Sequence, residues 1–197
     1  MEMIEQREMM KVVEKLRGDA IVLPTMTGNG AWLDVTQNQD RDVSIGGAMG
    51  KASTFALGLA MAQPDTNIIV FDGDGSLEMN LGTLATIAGK KPKNLYHFVL
   101  ENGVYGTTGG QPIPSAGELS FAGIAREAGY KAAYEFDDLE EFTLQADSIL
   151  NEDGPVLVCI KIVPEVQNEP IGRRKRHPKA RPTKDALVAL RKEIGTS

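Results

Sequence analysis

Two short polar segments contain the residue types from which a metal site for a phosphorylated ligand can be built. Residues 72–76 have two carboxylates, two glycines and a hydroxyl, and residues 100–106 contain Asn102. Carboxylate and amide oxygens are ligands that Mg²⁺ prefers, and Mg²⁺ commonly shares one or two protein groups with phosphate oxygens. Glycine lets the backbone approach a phosphate closely. The two segments therefore predict a site for magnesium and a diphosphate.

Both segments follow apolar runs that are typical of buried strands. Residues 68–71 precede the first segment, and residues 95–100 lead into the second. Because ligands sit outside the carboxyl ends of strands in open α/β sheets, we expect Asp74 and Asn102 to meet at one sheet edge. A helix is predicted to begin near Ser76, with its free N–H groups directed at the anion.

Helical and strand patterns alternate along the rest of the chain. Helices are predicted at 4–16, 48–61, 77–88, 121–128, 139–150 and 184–194. Strands are predicted at 20–23, 67–71, 95–100, 131–136 and 156–162. This alternation predicts an α/β fold, with a doubly wound, mainly parallel sheet and helices on both faces. We divide the chain into a domain over residues 1–165 and a basic extension over residues 166–197.

The composition is typical of an enzyme domain with a substantial core. The 197 residues are 42% hydrophobic and 24% charged, with a formal net charge of −6, and this length suits one domain. The acidic balance gives no support for nucleic acid as a partner. No apolar stretch approaches the roughly 20 residues of a membrane span. The single cysteine, Cys159, is expected to be a buried strand residue, and its isolation indicates a reducing compartment, so we expect a cytoplasmic location.

Residues 73–76 followed by Asn102 resemble the signature of thiamine diphosphate enzymes, a Gly-Asp-Gly with an Asn some two dozen residues later. Segments 25–29 and 46–50 resemble the family's first diphosphate loop and the segment in which a large apolar residue, here Met49, supports the bent cofactor. The resemblance implies thiamine diphosphate and Mg²⁺ as cofactors. The cofactor-binding residues that it implies are Thr27, Gly28, Gly47, Met49, Gly73, Asp74, Gly75, Ser76, Asn102, Val104 and Tyr105. Of these, Asp74, Asn102 and the main-chain oxygen of Val104 would bind the metal.

The glycine-rich loop 102–112, together with segments 49–59 and 79–87, is similar to the phosphonopyruvate and sulfopyruvate decarboxylases. In the sulfopyruvate enzymes the cofactor half and the pyrimidine half are separate polypeptides, and the resemblance identifies this chain as the β-type, cofactor half. It implies that a separate pyrimidine-binding α-type subunit supplies the catalytic glutamate. This chain would then hold no catalytic residue for cofactor activation and would be inactive alone, and an α2β2 or larger assembly is expected.

The implied reaction is the non-oxidative decarboxylation of a small 2-oxo acid, such as sulfopyruvate or phosphonopyruvate, to an aldehyde and CO₂. The candidate substrate contacts are Thr107, Thr108, Gln111 and Ser115, each of which could equally cap a turn. Residues 30–34 depart from the Ser-Arg-Glu-like element of the similar enzymes, which puts the anionic substrate in doubt. Trp32 in that segment indicates either an apolar pocket or a core or interface position.

Three alternative functions and one unassigned segment stay open. The alternatives are a carboligase of the acetolactate synthase kind, a ferredoxin-coupled oxidoreductase subunit, and a cofactor-fold binding module without activity of its own. The segment is the basic run 173–181. Its interpretations, in order of preference, are a solvated tail, a lid or strap that supplies a cation to an anionic substrate, and a site for nucleic acid or an acidic partner.

Overall fold

The computed structural model of the chain describes residues 3–47, 49–170 and 173–196. Its main feature is a five-stranded sheet in the order β1-β2-β3-β7-β6, in which all neighbouring strands are parallel. The five strands are β1 (Ile21–Pro24), β2 (Ile68–Gly73), β3 (Leu95–Glu101), β6 (Ala132–Phe136) and β7 (Val156–Lys161). Two short strands, β4 (Val104–Tyr105) and β5 (Gln111–Pro112), form an antiparallel hairpin.

Helices cover both faces of the sheet, as the alternating sequence pattern predicts. They are α1 (Gln6–Leu16), α2 (Met26–Val35), α3 (Ala52–Ala62), α4 (Asp74–Glu78), α5 (Gly82–Lys90), α6 (Phe121–Ala128), α7 (Leu139–Asn151) and α8 (Thr183–Glu193). Short 3₁₀ turns occupy Gln39–Arg41 and Gly106–Thr108. The prediction of a doubly wound, mainly parallel α/β sheet is confirmed.

Alternating side chains of the strands divide the core into two layers. On β2, Ile68 and Val70 pack with α3, α5 and α6, whereas Ile69 and Phe71 pack with α1, α2 and α7. This is the period-two alternation of a strand buried on both faces. Trp32 is fully buried in the second layer, with its ring centroid 5.2 Å from that of Phe71. Trp32 is therefore a core residue, and it also lines a small cavity of about 300 Å³ together with Pro24, Asp42 and Ala186.

Helix α2 lies where the sequence predicted a loop. Residues 25–30 include two glycines and an asparagine, which have low helix propensity. Tertiary packing overrides that propensity, because Ala31, Trp32 and Val35 are buried against the sheet. The first residues of the predicted diphosphate loop are therefore the first turn of a ten-residue helix.

The helix predicted at 77–88 is two helices, and the first begins at Asp74 rather than near Ser76. A turn at Asn80 separates α4 from α5, and the Asn80 side chain bonds to another segment instead of facing solvent. The helix predicted at 48–61 begins at Ala52, and Ala48 lies outside the described residues.

The described part of the C-terminal extension packs on the preceding domain through α8, whereas most side chains of the basic run 173–181 are exposed. In α8, Ala186 and Leu190 are buried, and Leu190 belongs to the first core layer. The Thr183 hydroxyl donates to Ser44 O (2.8 Å), and Gln39 Nε2 donates to Lys179 O (2.6 Å). The division of the chain at residue 165 stays a prediction.

Among residues 3–47, 49–170 and 173–196, we find no helix with both the length and the apolar character that a membrane span requires.

Candidate functional site

Asp74 joins the two polar segments at the carboxyl edge of the sheet. One carboxylate oxygen accepts hydrogen bonds from the N–H groups of Asn102 (2.8 Å) and Gly103 (2.6 Å), and the other accepts from Gly75 N–H (2.7 Å). The residue is 2% exposed. Burial raises the pKa of the Asp74 carboxyl above its usual value, although the three backbone donors act in the opposite direction. The edge predicted from the strand ends does bring Asp74 and Asn102 together.

Asn102 holds the turn that follows β3. Its side-chain oxygen accepts a hydrogen bond from Val104 N–H (2.9 Å), an arrangement in which an Asn side chain replaces a backbone acceptor in a turn. The amide therefore faces the same short loop as the Val104 main chain. Asn102 and Gly103 line a separate open cavity of about 920 Å³, together with Glu101 and Lys161.

Most of the predicted cofactor residues line one cleft of about 310 Å³. Its lining includes Thr27, Met49, Gly73, Asp74, Gly75, Ser76, Val104, Tyr105 and Thr107. Three predicted residues, Gly28, Gly47 and Asn102, are not part of this lining. The cleft lies between α2, the loop before α3, the β2–α4 turn and the hairpin.

A pair of hydrogen bonds fixes the loop that carries Met49. Ser76 Oγ accepts from Gly50 N–H (3.1 Å), and Asn80 Nδ2 donates to Gly50 O (2.9 Å). Gly50 has a φ of +70°, and a Cβ there would lie 3.2 Å from Asn80 Cβ and 3.3 Å from Met79 Cβ. Only glycine suits this conformation and this approach. We call the contacts of Ser76 and Asn80 with Gly50 the Gly50 clamp.

The first turn of α2 has main-chain N–H groups beside the cleft, which Met26 and Thr27 line. Its first intrahelical hydrogen bond runs from Asn29 N–H to Thr25 O (3.2 Å), which leaves the N–H groups of Met26, Thr27 and Gly28 without intrahelical partners. The Thr25 hydroxyl donates to Ile45 O (3.0 Å) and does not cap the helix. Such uncapped N–H groups favour a bound anion.

Gly28 also has a packing role, on the side of α2 that faces the sheet and α1. It is buried, and a Cβ there would lie 2.8 Å from Leu100 Cδ1 and 3.5 Å from Met10 Cε. The missing side chain therefore lets α2 approach the sheet, while the predicted contribution of the Gly28 N–H to cofactor binding stays a prediction. Gly47 is exposed, with a φ of +72°.

The donor set at the sheet edge fits a hard cation. One carboxylate, one side-chain amide oxygen and a nearby main-chain carbonyl are oxygen ligands of the kind that Mg²⁺ takes together with phosphate oxygens. Within the part of the chain that the structure describes, no group of three or more His, Cys, Asp and Glu side chains could hold a metal. The predicted metal ligands, Asp74, Asn102 and the Val104 main-chain oxygen, stay a prediction.

The candidate substrate residues do not act as one group. Thr107 lines the cleft. Thr108 Oγ1 donates to Gln111 Oε1 (3.2 Å) within the hairpin, where both residues are exposed. Ser115 has a φ of +51°, and its carbonyl oxygen accepts hydrogen bonds from the N–H groups of Glu118 and Leu119. Thr108, Gln111 and Ser115 thus have turn contacts in this structure, and their contact with a substrate stays a prediction.

Glu101 and Cys159 form a contact on neighbouring strands. The buried Cys159 thiol donates to Glu101 Oε2 (2.9 Å), and burial raises the pKa of this thiol well above its usual value. The expectation that Cys159 is a buried strand residue is confirmed. The Cys159 thiol is thus the hydrogen-bond partner of the Glu101 carboxylate, and Glu101 directly precedes Asn102 in the chain.

Sequence reasoning did not single out three residues that the structure brings to the site. Met26 and Gly106 line the cleft, and Asn80 belongs to the Gly50 clamp. Met26 adopts a φ of +49°, a region that non-glycine residues rarely occupy and that often marks functional sites. The sequence has no signal for that conformation. The polar Asn80 between two apolar residues was the one available signal for the clamp.

Comparison with known proteins identifies the family. The family described as "Thiamine pyrophosphate enzyme, C-terminal TPP binding domain" matches residues 32–160. This range includes the predicted cofactor residues from Gly47 to Tyr105, but not Thr27 and Gly28.

Two curated relatives are similar over 154 residues, which are 78% of the chain. The phosphonopyruvate decarboxylase of Streptomyces viridochromogenes is 36% identical, and the chain spans 38% of that protein's length. The sulfopyruvate decarboxylase subunit beta of Methanocaldococcus jannaschii is 33% identical, and there the match covers 81% of the relative. The predicted resemblance to these enzymes is confirmed.

Solved structures share the fold at low sequence identity. The thiamine diphosphate-dependent 4-hydroxybenzoylformate decarboxylase of Rhodococcus jostii RHA1 aligns with a TM-score of 0.70 and 22% identity, over 84% of this chain and 33% of that chain. The sheet, the edge that holds Asp74 and the match over residues 32–160 lead to one conclusion. The chain belongs to the thiamine pyrophosphate enzymes and carries their C-terminal TPP-binding domain.

Proposed function

We propose that the chain is the β-type subunit of a split decarboxylase that depends on thiamine diphosphate and Mg²⁺. Its substrate is a 2-oxo acid of the sulfopyruvate or phosphonopyruvate kind, and its products are an aldehyde and CO₂. A separate pyrimidine-binding subunit completes the site and supplies the glutamate that activates the cofactor, in an α2β2 or larger assembly. The names and lengths of the relatives support a subunit, since one of them is itself called subunit beta and is matched over 81% of its length.

One observation carries the assignment of the cofactor site. The buried Asp74 carboxylate accepts hydrogen bonds from Asn102 and Gly103, so that both halves of the signature meet at one point. Burial of an ionised carboxylate is costly unless hydrogen bonds or a cation compensate. Three backbone donors provide part of that compensation at Asp74, and a bound Mg²⁺ would add to it.

In this proposal each group in or beside the cleft has a separate role. Asp74, Asn102 and the Val104 carbonyl would hold Mg²⁺, which would neutralise diphosphate charge. The α2 N–H groups and the Thr27 hydroxyl would bind diphosphate oxygens. Ser76 Oγ accepts from Gly50 N–H, so its own proton stays available for another oxygen. Thiamine diphosphate, when bound, supplies the electron sink that accepts the electron pair as CO₂ leaves.

The Met49 loop has the role of supporting the cofactor in its bent conformation. The Gly50 clamp ties this loop to α4, and α4 begins with the metal-binding Asp74. The two ends of the cofactor would thus contact one connected unit, which favours a preorganised site.

The partner is tested by native mass spectrometry of the chain purified from its own cells in magnesium buffer. We expect a second polypeptide and the mass of thiamine diphosphate in the complex. A homo-oligomer without cofactor would instead favour the binding module without activity.

The metal assignment is tested with Asp74→Ala, with Asp65→Ala as a control that removes an exposed carboxylate. We expect Asp74→Ala to abolish Mg²⁺-dependent binding of thiamine diphosphate, measured by calorimetry, and the release of CO₂ from sulfopyruvate and phosphonopyruvate by the complex. Asp65→Ala should behave as the unaltered protein. Unchanged cofactor affinity in Asp74→Ala would refute the site.

A further inference from the structure

The chain after β7 passes directly over the glycine-rich hairpin that borders the cleft. We call residues 165–170 and 173–177 the C-terminal strap. Gln167 N–H donates to Gly106 O (2.8 Å), and Gly106 and Thr107 both line the cleft. The strap therefore contacts the cleft loop from outside.

Arg174 joins acceptors on the strap and the loop, of which three lie within 2.7 Å. Its Nη2 donates to Thr107 O (2.6 Å), its Nε to Glu169 O (2.7 Å) and its Nη1 to Gln167 Oε1 (2.7 Å). The rigid, planar guanidinium suits several acceptors at fixed directions, which an ammonium cannot reproduce. Each of its three nitrogens donates to a protein acceptor, so Arg174 has a structural role in joining the strap to the loop.

The strap also gives a reason for two glycines of the loop. A Cβ at Gly106 would lie 2.7 Å from Glu165 O, closer than such atoms approach. A Cβ at Gly110 would lie 3.0 Å from Val166 Cγ2, and Gly110 has a φ of +80°. The glycine-rich character of this loop thus reflects contact with the strap as well as the turns of the hairpin.

Both ends of the strap are held by α1 and α2. Arg7 on α1 bonds to Glu165 (2.5 Å) and to Asp34 on α2 (2.9 Å), and Asp34 Oδ1 lies 3.0 Å from His177 Nε2. The hydrogen bond from Arg7 holds the pKa of the Asp34 carboxyl below its usual value. Since α2 begins at the cleft, the strap connects α2 with the hairpin loop, and both of these border the cleft.

We propose that Arg174 is a positioning residue, which fixes the loop of Val104 to Thr107 in the conformation that lines the cofactor cleft. Its effect on cofactor binding rests on the proposed function, whereas its effect on the loop does not. The basic run would thereby serve the site through one hydrogen-bonded arginine, while its neighbours Arg173 and Arg176 remain exposed.

The test compares Arg174→Gln, Arg174→Lys and the control Arg173→Gln in the full-length chain. Within the described residues the Arg173 side chain has no hydrogen bond or ion pair, so its substitution removes the same charge without the anchor. Amide hydrogen exchange of the cofactor-free chain is followed at Gln167, which bonds to Gly106 O, and at Gly110, which bonds to Tyr105 O. Thiamine diphosphate affinity is then measured with Mg²⁺, in the complex with the partner if one is retained.

We expect faster exchange at both amides in Arg174→Gln and Arg174→Lys, and unchanged exchange in Arg173→Gln. Cofactor affinity should fall roughly tenfold in the two Arg174 variants, the lower end of what loss of an outer hydrogen bond around a metal site costs. Equal effects in Arg173→Gln, or an Arg174→Lys variant that matches the unaltered chain, would overturn the proposal in favour of charge alone. If the unaltered protein binds no thiamine diphosphate, the proposed function fails, and the exchange comparison decides the role of Arg174 by itself.

Discussion

At the scale of single residues, Gly73 and Gly75 differ in what occupies the space that a side chain would fill. A Cβ at Gly75 would lie 2.6 Å from Tyr105 Cε1 and 2.8 Å from Ile113 Cγ2, so protein atoms already fill that space. A Cβ at Gly73 would have Ser76 Cβ as its nearest neighbour, at 3.9 Å, and its φ of −87° suits any residue. The space beside Gly73 is therefore open to a ligand.

The substitutions Gly73→Ala and Gly75→Ala should separate these two cases. We expect Gly75→Ala to lower the free energy of unfolding by about 1–3 kcal/mol, because overpacking forces the Tyr105 ring to move. Gly73→Ala should change that free energy by no more than about 0.5 kcal/mol, yet weaken binding of thiamine diphosphate. Urea unfolding and calorimetry measure the two effects. Full cofactor affinity in Gly73→Ala would exclude Gly73 from the site.

At the scale of elements, the short helix α4 is important because of the contacts that it makes with the Met49 loop. It has five residues, so its dipole is small, and the N-terminal anion effect predicted for a longer helix is reduced accordingly. The Ser76 side chain of α4 and the Asn80 side chain of the turn after it instead form the Gly50 clamp, which orients the Met49 loop. The break at Asn80 between α4 and α5 makes this contact available.

Loss of the clamp should loosen the Met49 loop without unfolding the domain. In Asn80→Ala one partly buried hydrogen bond to Gly50 O is lost, which costs about 1 kcal/mol. We expect faster amide exchange at Gly50, whose N–H bonds to Ser76, and weaker cofactor binding. The control is Asn151→Ala, because Asn151 bonds within its own helix on the surface. Unchanged exchange at Gly50 would show that Ser76 holds the loop by itself.

At the scale of the whole molecule, the C-terminal extension is part of the packed structure. Leu190 is 2% exposed and lies in the first core layer, whereas Val188 on the same helix is 62% exposed. The extension returns to residues 39–44, beside the elements that lead to the Met49 loop.

Leu190→Ala should therefore destabilise the entire domain. Removal of a buried leucine costs about 2–5 kcal/mol, so we expect a single unfolding transition shifted to lower urea concentration. Val188→Ala should leave the transition within about 0.5 kcal/mol of its original position. A Leu190→Ala variant as stable as the Val188→Ala control would mean that α8 does not pack on the domain in solution.

Much of the fold could be predicted because local patterns determine it. Four of the five parallel strands are short, mainly apolar and buried runs, β6 is only partly buried, and the predicted strand positions agree with the observed ones to within two residues. Helix α2 escaped prediction because its first turn has poor helix formers, and its stability comes from Trp32 and its neighbours packing on the sheet. Distant contacts of this kind leave no local periodicity.

The sequence by itself determined the family, the sheet and the meeting of Asp74 with Asn102, since parallel strands must bring their carboxyl ends to one edge. Only the tertiary structure decided which groups surround that pair. The bonds from Asn80 to Gly50 and from Arg174 to Thr107 join residues that are 30 and 67 positions apart. Such contacts depend on the path of the whole chain. Every residue has a main-chain carbonyl, so a side chain that donates to one requires no particular residue type at the acceptor, and the sequence has no signal for the pair.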